Sequence, residues 1–186
     1  LEPCLNNDVE MISEPIKDWI TVMGVDLAVG FDAQHDETAY CVVAYNPKTE
    51  QRKVIHQWNG KIQDEGASWL KEQVSNISKI ADKYKPETIM VESNGFQRLV
   101  AHAARDVEQL PIATHNTGNE RNHAQIGIPG IAVAMEKGLY EIPFGATAKE
   151  NCRPGTRDLV RGLMQLMWDG KGKIQGHVAD PVVSLW

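Results

Sequence analysis

The chain has 186 residues, of which 42% are hydrophobic and 24% charged, enough for one domain with a sizeable core and far from the composition of a disordered chain. No apolar run approaches the ~20 residues that a membrane-spanning helix needs. The formal net charge of −6 gives no general attraction to nucleic acid, so any such role must come from a local basic region.

Residues 1–18 carry Pro3, Pro15 and the acids Glu2, Asp8, Glu10, Glu14 and Asp18 without a clear period, and read as a linker or N-terminal arm. The chain opens at Leu1 rather than Met and is expected to be a piece of a longer polypeptide. "WITVMGVDLAV" (19–29) is apolar on both faces, as a central strand is. The β-forming "TAYCVVAYN" (38–46) follows, and the turn "NPKTEQ" leads to a third strand, "KVIHQWNGKI" (53–62). Connections this short make antiparallel neighbours. The period then changes. Leu70, Val74, Ile77, Ala81 and Tyr84 alternate four- and three-residue steps, which makes one face of an amphipathic helix stopped by Pro86. "TIMVES" (88–93) is a fourth strand. A second helix follows with Phe96, Val100, Ala103 and Val107 on one face, then a short strand "IATHN" (112–116). Ile131–Lys137 reads as helix, "LYEIPF" (139–144) as a short strand, and a long helix is expected over Thr156–Trp168 with Leu159, Leu163 and Leu166 on one face. This order predicts an α/β fold with a mixed sheet, a three-strand antiparallel meander plus parallel strands, in which the first strand is central and the fourth runs parallel to it.

The fourth strand ends in Glu92, and a carboxylate at the mouth of a core costs several kcal/mol by rough estimate unless something pairs with it. Asp26 lies in the most buried strand. If the two strands pair in parallel, both acids reach one edge of the sheet. Asp180, in "GHVADPVVSLW", begins the last helix and is a third candidate. Convergent carboxylates repel unless a counter-charge is present. Mg²⁺ and Mn²⁺ supply one: they prefer oxygen ligands and share phosphate oxygens, and two such ions can drive phosphodiester hydrolysis. Each acid also has a plainer reading. Asp26 could bond nearby backbone, Glu92 could lean into water or pair with Arg98, and Asp180 followed by Pro181 is the preferred N-cap pair of a helix.

Cys4, Cys41 and Cys152 form no CxxC pair, which argues against zinc and fits a reducing compartment. The histidines show no HExxH spacing. From Gly145 to Gly176 the basic residues Lys149, Arg153, Arg157, Arg161, Lys171 and Lys173 outnumber Glu150, Asp158 and Asp169, a region that either tracks a phosphate backbone or is a solvated face.

The segments "GVDLAVG…DETAYCVVAY", "IMVESNGFQRLV", "GIAVAMEKGLYEIPFG" and "LVRGLMQLMWDGKGKIQGHVADPVVSLW" resemble the nuclease domain of tailed-phage large terminase subunits, within the ribonuclease H-like superfamily. The resemblance covers about residues 19–186, and "VESNGFQ" and the closing His177-x-x-Asp180-Pro181 are its most specific parts. It implies a ribonuclease H-like sheet flanked by helices and an endonuclease that cuts double-stranded viral DNA during genome packaging. It implies two Mg²⁺ or Mn²⁺ ions at Asp26, Glu92 and Asp180. By the same resemblance, partners are DNA, an ATPase motor domain in the same polypeptide, the portal protein and the small terminase subunit, in the cytoplasm of an infected bacterium. The motor itself lies elsewhere, because no GxxxxGK[ST] loop is present. Family members often carry two adjacent acids at the third position, where this chain has Ala179-Asp180. His177, one turn before Asp180, could compensate as a ligand or proton carrier, and Asp36 is a spare acid. Arg157 and Arg161 share a helix face and, with Lys171, Lys173 and Arg121, are candidate phosphate contacts. Other readings are a junction resolvase or RNase H with the same carboxylates, and a non-catalytic DNA-docking module. An actin-like sugar kinase also opens on a "GVDL"-type strand, but Asp26 is followed by Leu-Ala-Val-Gly rather than by the glycine and threonine of its phosphate loop.

Overall fold

Strand formation follows the β-branched and aromatic runs. In the computed structural model, which describes residues 1, 4–6, 14–28, 37–62, 66–92, 95, 97–115, 123, 127–144, 154–169 and 173–186, β1 is Leu5–Asn6, β2 Ile20–Asp26, β3 Thr38–Tyr45 and β4 Arg52–Gly60. Helix α1 (Gly66–Tyr84) precedes β5 (Thr88–Glu92), α2 (Gln97–Asp106) and β6 (Ile112–His115). Then come α3 (Ile128–Glu136), β7 (Tyr140–Pro143), α4 (Pro154–Met164), the hairpin β8 (Met167–Trp168) and β9 (Ile174–Gln175), and α5 (Asp180–Leu185).

The main sheet has the order β1-β7-β4-β3-β2-β5-β6. The meander β2–β3–β4 is antiparallel, and β5 lies parallel to β2 with Val22 opposite Thr88 and Val25 opposite Val91. The first long strand is therefore central and its parallel partner is the strand that ends in Glu92, as the sequence predicts. Within the segment expected to be an arm, β1 adds a parallel edge strand to β7, and Cys4 beside it is buried. Among the described residues no helix is long and apolar enough to cross a membrane.

The two-residue strand period sorts side chains between two cores. Met23, Val25, Ile89 and Val91 face α1 and α2, packing on Ile77, Tyr84, Val100 and Ala104. On the other face Val22, Cys41, Val43 and Val54 meet α4 and α5 through Leu159, Val160, Val182 and Leu185. Burial pushes the Cys41 thiol above its usual range, so it is a neutral apolar group in this core. Helix α5 crosses β2, β3 and β4 and packs on α4. Gly24 makes that crossing possible, because a Cβ there would run into the Ser184 carbonyl.

Two helices differ from the sequence reading. The buried side of α2 is Gln97, Val100, Ala101 and Ala104, while Val107 lies past the helix end and is 72% exposed; Phe96 lies outside the described residues. The helix expected to reach Trp168 ends at Met164, because Met167 and Trp168 pair with Gln175 and Ile174 as an antiparallel ribbon.

Candidate metal-binding acidic edge

Parallel pairing brings the carboxyl ends of β2 and β5 to the same edge. Asp26 ends β2 and is 9% exposed, and Glu92 ends β5 and is partly buried. Val25 and Val91 point into the α1–α2 core, so the next residues, Asp26 and Glu92, project from the opposite face, which α5 crosses. Asp180 reaches this edge by a different route. It is the first residue of α5, its side chain is 15% exposed, and its Oδ2 accepts the Glu37 backbone N–H at 2.8 Å. Glu37 precedes β3, whose Ala39 pairs with Asp26. The contact therefore places Asp180 at the end of the sheet where Asp26 lies.

The capping role open to Asp180 is not the one it takes. Ala179 occupies the N-cap with extended backbone (φ −61°, ψ 138°) and no side-chain cap bond, and Asp180 and Pro181 lie inside the helix. The carboxylate is turned toward Glu37 instead.

Beside Asp180 lies an open cleft of about 580 Å³ whose walls include Glu37, Asn59, Asp158, Arg161 and His177. Asn59 Nδ2 donates to Glu37 Oε2 at 2.6 Å and to Asp158 Oδ2 at 3.1 Å, so one amide group links two carboxylates. Arg161 is 3.8 Å from Asp158, and His177 Nε2 is 4.0 Å from Asp180 Oδ1. His177 is thus beside the third acid, as its spacing suggests. Arg157 and Arg161 are both exposed on α4, and Arg161 faces the cleft. Lys173 is exposed in the β8–β9 connection, where its N–H donates to Asp169 Oδ1 at 2.8 Å. Asp36, Arg121 and Lys171 lie outside the described residues.

Sequence reasoning passed over Glu37, Asn59 and Asp158. The signal for Glu37 was present: an acid just before the antiparallel partner of the Asp26 strand must sit at the same edge. Asp158 counted only as a charge among the basic residues around it, and Asn59 read as an ordinary strand-end residue.

All the acids that meet this edge offer oxygen ligands, the donor type of Mg²⁺ and Mn²⁺ rather than of soft metals. Among the described residues, no three Asp, Glu, His or Cys groups form a ready-made metal cluster. An all-protein cage is not what Mg²⁺ requires, since it commonly uses one or two carboxylates and fills its remaining positions with water and substrate phosphate. Asp26 and Glu92, side by side on adjacent strands, fit that use.

No family model and no curated protein matches the sequence. Solved structures do match. The nuclease domain of the phage P22 large terminase superposes with a TM-score of 0.64 at 11% identity, covering 99% of this chain and 84% of that one. The large terminase of a thermophilic bacteriophage gives 0.61 at 12% identity over 98% of this chain, which spans 41% of that protein. The human cytomegalovirus terminase nuclease domain, soaked with manganese, gives 0.57 at 11% identity, covering 95% and 81%. The chain has the ribonuclease H-like fold of terminase nuclease domains, and the resemblance read from its motifs holds at the level of the fold.

Proposed function

We propose that residues 19–186 form a metal-dependent endonuclease that hydrolyses double-stranded viral DNA during genome packaging, with residues 1–18 as the arm leading from an ATPase motor. The observation that carries this reading is the placement of Asp26 and Glu92 at the carboxyl ends of adjacent parallel strands, on the face crossed by the helix that begins with Asp180. The fold shared with terminase nuclease domains, one of them manganese-soaked, supports it.

Asp26, Glu92 and Asp180 would hold two Mg²⁺ or Mn²⁺ ions, with water and substrate phosphate completing their shells. When bound, such ions would polarise a phosphoryl oxygen and acidify a water. Glu37 orients Asp180 through its N–H, leaving Oδ1 on the side of His177. His177 is solvent-exposed and placed to carry a proton. Arg157, Arg161 and Lys173, with Arg121 and Lys171, contact phosphates and hold the duplex without reading its sequence. By the same reading the portal protein and the small terminase subunit are the assembly partners.

The test is cleavage of supercoiled plasmid with Mn²⁺, Mg²⁺ or EDTA, run beside Glu92→Gln. Nicking and linearisation that need metal and disappear in the variant are expected. Absence of cleavage from folded protein, or cleavage indifferent to Glu92→Gln, overturns the reading in favour of a DNA-docking module or of another active centre.

A further inference from the structure

The hydrogen-bond ladder between β2 and β5 stops one residue short of the acids. Its last pair is Val25 with Val91, whereas Asp26 and Glu92 each pair outward, with Ala39 and His115. The two acids are thus paired to β3 and β6 but not to each other, and the spacing between them also depends on what secures the chain beyond that point. Two buried side chains grip the peptide groups that follow Asp26. Gln97 Nε2 donates to the Leu27 carbonyl at 2.9 Å, and the Ala28 N–H donates to Thr38 Oγ1 at 3.2 Å. Thr38 is held in turn by Gln73 Nε2 at 3.2 Å, and the Tyr40 hydroxyl donates to Gln73 Oε1 at 2.6 Å.

Gln97 differs from the others in its place in the chain. It is the first residue of α2, five residues after Glu92, and Gly95 between them takes the left-handed φ of 50°. Its bond to Leu27 joins the segment after Glu92 to the segment after Asp26, across the gap where the ladder has ended. Gln97 is 6% exposed, and its Oε1 is buried without a partner. An apolar side chain would fill this position without stranding an acceptor, so the amide is explained by what Nε2 does. Gln97 also closes "VESNGFQ", the motif in which only Glu92 had a role.

We propose that Gln97 is a positioning residue: by holding the Leu27 carbonyl it fixes the separation of the Asp26 and Glu92 carboxylates and hence their joint affinity for a divalent cation. The proposal rests on the metal-dependent reading above. Its test is calorimetric titration of Mn²⁺ into wild-type protein and Gln97→Met, without DNA, beside thermal unfolding of both. Gln97→Met is expected to bind Mn²⁺ about 10-fold more weakly, as outer-shell substitutions typically do, and to lower kcat with the KM for DNA unchanged. Gln97→Asn, one methylene too short to reach Leu27, is the milder change. It serves if Gln97→Met does not fold, and the same loss is expected of it. Wild-type Mn²⁺ binding retained within twofold by the folded variants overturns the proposal alone, since a merely structural role would move only the unfolding midpoint. Absence of Mn²⁺ binding by the wild type overturns the metal-dependent reading and this proposal with it.

Discussion

Asp26 and Glu92 are held by the sheet, whereas Asp180 is held by a six-residue helix lying across it. The strand acids each sit one residue past the last β2–β5 pair, Val25 with Val91, so the parallel register dictates their common edge and common face. Asp180 depends on tertiary contacts: the close approach of α5 to Gly24 and the hydrogen bond from Glu37. A helix this short has little stability of its own and keeps its place through packing. The edge thus combines a rigid pair with an adjustable third member, and perturbations of the two parts are expected to differ in kind.

The largest effects belong to charge. Asp26→Asn and Glu92→Gln are expected to lower plasmid cleavage by on the order of 10³-fold or more, since metal-assisted stabilisation is worth several kcal/mol. Asp180→Asn keeps an oxygen for the Glu37 N–H and is expected to lose less, about 100-fold, with partial recovery at higher Mn²⁺. Equal and unrecoverable losses in all three variants would erase the distinction between the strand pair and the helix acid.

Gly24→Ala tests the helix side through packing. The added methyl meets the Ser184 carbonyl and α5 must shift. Overpacking of this kind costs about 1–3 kcal/mol, read as a fall of several degrees in the unfolding midpoint at about 2–4 °C per kcal/mol for a domain of this size. An unchanged midpoint would mean that α5 is not seated against β2 as described. Ala179→Ser is expected to act in the opposite direction and more weakly. Its hydroxyl can cap α5 at the vacant N-cap, adding about 1 kcal/mol and raising the midpoint by about 2–4 °C. A lower midpoint would show that the start of α5 is constrained by its neighbours rather than by its own backbone.

The sheet was legible because its signals are local. The apolar run at Trp19–Val29, the short turns around the Thr38–Asn46 strand, and Pro86 between helix and strand settle the order of elements before any long-range contact is considered. Asp26 and Glu92 followed, since parallel pairing with a two-residue period carries them to one edge. The missed features depend on tertiary contacts. The plainer reading of Asp180, as an N-cap, rests on the strong local propensity of Asp-Pro, and the structure departs from it because Glu37, distant in sequence, bonds the carboxylate. The α4 boundary is hidden because Leu166 continues the helical apolar face, while Trp168 pairs with Ile174 further along the chain. Gln97 closes a legible motif without a legible role, because the target of its amide lies seventy residues away at Leu27.

Divalent ions are expected at the Asp26–Glu92 edge that Asp180 joins, rather than at the Glu37 and Asp158 carboxylates of the cleft. A crystal of the protein soaked in Mn²⁺ and measured at the manganese absorption edge tests it most directly. An anomalous peak is expected within bonding distance of the Asp26 and Glu92 carboxylates. A peak confined to the Glu37–Asp158 cleft, or no peak from a well-diffracting crystal at millimolar Mn²⁺, would contradict it.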